Sequence, residues 1–539
     1  MKYEGINPFD YTYTSRRNVV YGMHGMVATG QAQASQAGLE ILKKGGNAID
    51  AAIAMAIALT VVEPTSNGIG GDAFALVWTK EGLEGLNASG PAGALSDADK
   101  LKAQGYTKIP DYGFQTVTVP GAPSAWITLS EKYGKLPFAE LFEPAIRLAE
   151  EGYVVTPVVS DMWEKEFNTH YELHKNDSAF QAWFDTYAPK GRAPKAGEIF
   201  KNPVQAKTLK ELAETKCESF YRGKLADKII AFSKEYGGNL VKEDLADYYP
   251  EWVKPIHVNY RGYDVWEIPP NGHGIVALMA LNMLKGFELK EKESVDTYHK
   301  SMEALKMAYT DGKKYVADIR HMSVSVDELL SDEYAEERRS QIGEKAIMPE
   351  VGKPKKGGTV YLCAADGEGN MISYIQSNYW LFGSGLVVPD TSIALHNRGK
   401  EFSLNPEDDN YLLPGKKPYH TIIPGFLTKD GKAVGPFGVM GGYMQPQGHL
   451  QVVQNMIDFH MNPQQALNAP RWQWTGEKNI LVEYNFPVET FQKLQEMGHE
   501  IKYSDDVGSF GRGQIILRQE NGTLIGGTEP RTDGAVLGY

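Results

Sequence analysis

Cysteine is nearly absent: Cys217 and Cys363 are the only two in 539 residues. Two thiols so far apart build neither a disulfide framework nor a CxxC metal site, which fits a reducing compartment. A basic excess is missing too. Lys and Arg number 55 against 68 Asp and Glu, a net charge of −13. The acidic residues are spread along the chain, so a nucleic-acid-binding surface is not expected. No run reaches the roughly 20 apolar residues that a membrane span needs. The longest candidate, "AIDAAIAMAIALTVV" from Ala48, carries Asp50 and reads as a buried helix. The opening "MKYEGINPFDYTYTSRRNVVYGMHG" is polar and aromatic and lacks the apolar core of an export signal, so a cytoplasmic location is expected. No GxSxG elbow surrounds any serine, which gives an α/β-hydrolase triad no support.

What is present is a hydrophobic content of 42%, ample for a large core. Length alone would allow two to four domains. From Gln31, "QAQASQAGLEILKKGG" has helical apolar spacing and a Gly45–Gly46 stop. Asn47 then caps the Ala-rich helix, which ends near Pro64. "DAFALVWTK" from Asp72 alternates as a strand. Residues 120–348 are helix-rich, and "MPEVGKPKKGG" from Met348 reads as a linker or exposed loop. Beyond it the pattern turns to strands: 359–365, a turn at "DGEGN", then 371–376, 386–388, 433–438, 480–482 and 514–517. A helix stands out at 448–459. Helix and strand on both sides of the linker predict an α+β layered fold with no clear two-domain split.

Three motifs invite chemistry. "NGIGGDA" at 67–73 has the glycine spacing of a dinucleotide loop, but it follows a helix and precedes a strand, the reverse of what such a loop needs. Glycines allowing a positive-φ turn are the better reading. "HYELH" places His170 and His174 at i, i+4, a spacing that can bind zinc. It lacks the adjacent Glu of a zinc protease and an obvious third ligand, so a solvated pair in a charged segment is expected, and no metal or cofactor. The third is Thr359, where a loose basic run ends at a strand. A threonine hydroxyl is a weak nucleophile that needs a base, and its own α-amine titrates near neutrality once the preceding peptide bond is cut. Gly358 tolerates the strained backbone of an N→O acyl shift. The residues alone leave two readings open: a turn entering a strand, or a site of self-cleavage.

A wider pattern bears on that choice. "ASQAGLEILKKGGNAIDAAIAMAIALTVVEP", "GIGGDAF", "VPGAPSAW", "YGKLPFAELFEPAIRLAEEGY", "PPNGHGIVAL", "FGSGLVVPDT" and "EPRTDGAVLGY", in that order, resemble the γ-glutamyltransferase family. These are self-processing N-terminal-nucleophile hydrolases. The resemblance implies an αββα sandwich and a precursor cut between Gly358 and Thr359. The products would be a large part, 1–358, and a small part, 359–539, held in one globule. A homodimer of that pair is an assembly the resemblance leaves open. It also implies that the Ser377 hydroxyl contacts the nucleophile's amine, and that the backbone N–H groups of Gly441 and Gly442 form the oxyanion hole.

The departures concern the substrate. Where the family's "FRE" segment grips the glutamyl α-carboxylate with Arg, this chain has "NASGPAG", with Ser89 in the Arg position. Tyr379 stands where the family has Asn, and His420 and Thr421 where it has paired serines. Glu401 matches the acidic residue that takes the substrate α-amine, and Arg398 replaces a residue that is often polar. Arg398 is therefore expected as a new carboxylate clamp, or else as a salt-bridge partner of Glu401. The implied activity is hydrolysis of γ-glutamyl amides such as glutathione, with water or an amine as acceptor. The alternative is another carboxylate-bearing amide: oxamate, or a glutaryl or cephalosporin side chain. This pattern resembles the cytoplasmic subgroup of the family. A catalytically dead, unprocessed binding protein is the reading from a different class.

Overall fold

The computed structural model describes residues 17–349 and 358–539. Most of the expected linker, 350–357, and the opening 1–16 lie outside the described residues. Two seven-stranded antiparallel sheets dominate the molecule. The first runs, edge to edge, Ala535–Gly538, Gly25–Thr29, Gly358–Asp366, Met371–Tyr379, Asp72–Thr79, Gly82–Ala88 and Glu251–Val253. The second runs Val20–Gly22, Leu524–Thr528, Arg512–Arg518, Lys432–Met440, Gly425–Lys429, Tyr263–Glu267 and Ile256–Tyr260. Each sheet mixes strands from before and after Thr359. A chain cut at that point would therefore still share both sheets between its two parts.

Three apolar clusters account for the stacking. One joins residues of both sheets, among them Met26, Phe74 and Ile375 from the first and Phe426, Met440 and Ile516 from the second. A second packs the first sheet against helices Ala32–Lys43 and Ala48–Val62. The third packs the second sheet against Gly274–Leu284, Val295–Tyr315 and Gln445–Ile457. Helix Ala48–Val62 is buried along its whole length, as a sequence apolar at all but Asp50 and Thr60 requires. Asn47 closes its N-terminus in a capping box with Asp50. No helix among the described residues is long and apolar enough to cross a membrane.

The expected elements form close to where the sequence placed them; most strands are longer, but the one expected at 386–388 is only Val387–Val388. The run expected at 371–376 extends to Tyr379, and 433–438 becomes Lys432–Met440. The helix expected at 448–459 begins earlier, at Gln445. Two expectations fail. Gly68, Gly70 and Gly71 do not adopt positive φ. Their missing side chains instead admit close neighbours: a Cβ on Gly70 would lie 2.4 Å from the Ala394 carbonyl oxygen, and one on Gly71 2.6 Å from that of Ser377. Nor are His170 and His174 a solvated pair. His170 is fully buried against Trp183, and His174 stacks on Phe180 at 3.8 Å, because the helix Pro157–His174 turns that face inward.

The chain just before the undescribed linker is anchored by a buried polar relay. His299 donates from Nε2 to the Gly343 carbonyl at 2.8 Å, which leaves Nδ1 to accept from His499 Nε2 at 2.8 Å. His499 Nδ1 then faces the Lys306 ammonium at 3.5 Å. Lys306 donates to Glu303 at 2.6 Å, and the other Glu303 oxygen accepts the Ile347 N–H at 3.1 Å. Lys306 and Glu303 are wholly buried. Removing one member of such a pair strands a charge, at a cost of about 3–5 kcal/mol. Glu303→Ala should lower unfolding stability by that order in urea titrations, and a change under about 1 kcal/mol would show that this relay does not hold the segment.

Candidate active site

Thr359 lies at an irregularity between the two central strands of the first sheet. Pairing is regular from Ala365 opposite Met371 to Val360 opposite Gln376, but Gly358 then pairs with Tyr379. Strand Met371–Tyr379 thus carries one extra residue, and Ser377 and Asn378 together oppose Thr359. Bulges of this kind re-aim a side chain, and they are common beside active sites. The neighbouring Gln376 is fixed by Trp126 and Tyr374, which both donate to its carbonyl oxygen at 3.0 Å, and by its own amide on Asn67 at 2.8 Å. The bulge is therefore held from below.

The Thr359 hydroxyl is buried, 3.0 Å from the Ser377 hydroxyl. Ser377 Oγ accepts the Tyr379 N–H at 2.8 Å, and Arg398 Nη2 approaches it at 3.5 Å. With two N–H groups directed at that oxygen, Ser377 is placed to donate its own hydrogen to Thr359. The turn at Tyr379 has a left-handed backbone, φ 73°, a strained conformation for an aromatic residue of the kind that clusters at functional sites.

Arg398 is fully buried in the turn Arg398–Glu401. Nη1 donates to Thr421 Oγ at 2.7 Å, and the guanidinium lies over the Tyr379 ring, 4.2 Å from its centre. Among the described residues its Nε has no hydrogen-bond partner. The expected alternative, an ion pair with Glu401, does not form. Glu401 instead accepts hydrogen bonds from the Tyr379 and Tyr443 hydroxyls, one on each oxygen. Burial pulls the Arg398 pKa below the usual arginine value, against the opposing influence of Tyr379, Asp72 and Glu401. Burial likewise pushes Lys313, whose ammonium lies over the Tyr443 ring, down to about 8.

Gly441 and Gly442 connect strand Lys432–Met440 to helix Gln445–Ile457, with φ of 141° and 57°. Both angles favour glycine. A Cβ on Gly441 would also lie 3.1 Å from Gly511 Cα. The next residue, Tyr443, reaches Glu401, so this turn, Glu401, Tyr379, Arg398, Ser377 and Thr359 form one connected group. Two expected residues sit differently. Ser89 is buried, but its hydroxyl belongs to a knot with Asn87 at 2.7 Å and Asn271 at 3.2 Å. His420 points to Asp72, 2.9 Å from its carboxylate. Sequence reasoning missed Asp72, His396 and Tyr443. The available signal was Asp72 itself, a carboxylate opening an otherwise apolar strand, since a buried charge demands partners.

The sequence profile of the family described as Gamma-glutamyltranspeptidase matches residues 34–539. The chain is 36% identical over 530 residues to the glutathione hydrolase-like YwrD proenzyme of Bacillus subtilis, covering 96% of this chain and 99% of that protein. It is 33% identical over 529 residues to the oxamate amidohydrolase proenzyme of Klebsiella pneumoniae, covering 96% and 98%. Its fold superimposes on the crystal structure of a cephalosporin acylase from Bacillus halodurans with a TM-score of 0.97 and 60% identity, covering 99% of each chain.

The contact between Thr359 and Ser377 is directly testable. Ser377→Ala removes a buried hydrogen bond to the Thr359 hydroxyl and leaves the Tyr379 N–H unsatisfied. A loss of about 1–2 kcal/mol at a rate-limiting step is roughly tenfold. If the precursor is cut before Thr359, a time course on denaturing gels should show the two fragments appearing roughly tenfold more slowly, with Ser377→Thr restoring most of the rate. Processing at the parent rate in Ser377→Ala would remove this contact from the chemistry.

Proposed function

The chain belongs to the gamma-glutamyltranspeptidase family of amide hydrolases and acylases, and from that premise we propose that it cuts itself before Thr359 and then hydrolyses amides whose acyl group carries a carboxylate. The cut yields parts 1–358 and 359–539, which remain interleaved through both sheets in an αββα sandwich. The stacking of the three apolar clusters supports that layering.

In the proposed reaction, Thr359 Oγ attacks the amide carbonyl. Its own α-amine, freed by the cut, takes the hydroxyl proton; such amines titrate at about 7.7–8.0. The backbone N–H groups of Gly441 and Gly442 bind the oxyanion as the tetrahedral intermediate forms. Collapse breaks the C–N bond, and the leaving amine departs with the proton. Water then attacks the Thr359 ester and releases the acid, or an amine acceptor takes the acyl group. Ser377 orients Thr359 throughout.

The observation that carries the substrate class is Arg398. It is a buried guanidinium, in contact with the hydroxyl that touches the nucleophile, and it has no carboxylate partner among the described residues. A planar fork in that position suits a substrate carboxylate. Family kinship favours a γ-glutamyl acyl group, as in glutathione. A second reading rests on Glu401. Each of its oxygens already accepts one tyrosine hydroxyl, which leaves fewer lone pairs for a substrate ammonium. That favours an acyl group with no α-amine, such as glutaryl, and agrees with the kinship to a cephalosporin acylase.

Hydrolysis of γ-glutamyl and glutaryl p-nitroanilides by the processed protein separates the two readings. Arg398→Lys tests the premise they share. It should process normally and raise KM, losing about 2–3 kcal/mol in kcat/KM, roughly 30- to 150-fold, on the better substrate. A processed Arg398→Lys protein with parental kcat/KM would place the carboxylate elsewhere.

A further inference from the structure

Asp72 opens strand Asp72–Thr79, directly opposite Ser377 in the sheet. It is wholly buried. One oxygen, Oδ2, meets two imidazoles: His420 Nε2 at 2.9 Å and His396 Nδ1 at 3.3 Å. Among the described residues the other, Oδ1, has no hydrogen-bond partner, and no Lys or Arg forms an ion pair with Asp72. A buried carboxylate is costly to keep without strong reasons.

The hydrogen bonds fix what Asp72 does to His420. His420 Nδ1 faces the Ile422 N–H at 3.4 Å and must accept there. The proton therefore sits on Nε2 and is donated to Asp72. Burial and the Arg398 charge hold His420 down at about 3, consistent with that neutral tautomer. The ring also packs on Phe74, 4.7 Å between centres. The His420 main chain is fixed as well: its N–H donates to the Asn271 carbonyl at 2.9 Å, and its carbonyl accepts from His273 at 2.9 Å. With side chain and backbone both held, the next residue is fixed too. That residue is Thr421, whose hydroxyl takes Arg398 Nη1.

We propose that Asp72 is a positioning residue for substrate binding: through His420 it holds Thr421 against Arg398 and so aims the guanidinium at the substrate carboxylate. The link runs Asp72, His420, Thr421, Arg398, and Asp72 never touches substrate. A glycine or serine at either end of it would leave Arg398 on a movable support. His396 lies on the far side of the same carboxylate, its Nε2 on the Thr118 carbonyl at 2.9 Å. The inference rests on the reading of Arg398 as the carboxylate clamp.

The experiment compares kcat and KM of processed enzyme on glutaryl p-nitroanilide and on pentanoyl p-nitroanilide, which has the same chain length without the carboxylate. The parent must prefer the glutaryl compound; no preference overturns the clamp itself. Given that preference, Asp72→Ala should raise KM for the glutaryl compound about tenfold with little change in kcat, and so cut the preference by the same factor. Asp72→Asn keeps an acceptor for the His420 proton and should restore most of the KM. His420→Ala removes the other end of the link and should behave like Asp72→Ala. Parental KM in either alanine variant overturns the proposal, as does a loss confined to kcat. Failure of both alanine variants to process would place the link in folding and overturn it equally.

Discussion

A guanidinium buried without an ion-pair partner among the described residues is the most demanding feature of this protein. Desolvating a cation costs several kcal/mol unless its N–H groups and its charge are met. Arg398 is met only in part: by one hydroxyl at good distance, one at the limit, and the face of Tyr379. In the proposed function a substrate carboxylate meets the remaining demand. The left-handed turn at Tyr379 lays the ring under the cation, Glu401 is fastened by two tyrosine hydroxyls instead of collapsing onto it, and Asp72 lies behind it in the sheet. A nearer carboxylate would quench the site.

The same geometry ties binding to chemistry. Ser377 lies between Arg398 and Thr359, 3.5 Å from the guanidinium and 3.0 Å from the nucleophile's hydroxyl. The extra residue in strand Met371–Tyr379 is what allows this, since a regular ladder would set a single residue against Thr359. Because the strands of both sheets come from either side of Thr359, a cut there relieves one covalent bond while leaving the hydrogen-bonded frame in place. The relay of His299, His499, Lys306 and Glu303 keeps the preceding segment attached at a distance from the cut.

The fold was largely legible because its signals are local. Asn47 capping, the Ala-rich helix after it, and the alternating strands around 359–379 are written in consecutive residues. The reading of Thr359 as a nucleophile came only with the family pattern, since a threonine after two glycines has an ordinary structural meaning. Arg398 was readable as a departure from that pattern. The rest depended on contacts distant in sequence. Nothing in "GGDAF" says that Asp72 meets His420, 348 residues on, and nothing in "GGYMQ" says that Tyr443 reaches Glu401. The glycines of "GIGG" looked like turn formers, and their real role, close approach to residues near 377 and 394, appears only in three dimensions. The two histidines of "HYELH" read as surface residues because their burial depends on Trp183 and Phe180, outside the motif.

The central claim is that Thr359, as a free N-terminus, carries the acyl group during turnover. Processed protein mixed with glutaryl p-nitroanilide, quenched in acid within the first turnovers and digested, would be analysed by mass spectrometry for acylated peptides. The account predicts a peptide that begins at Thr359 and bears one glutaryl ester on that residue. A peptide in which Gly358 still precedes Thr359, or an acyl group on any other side chain, would contradict it.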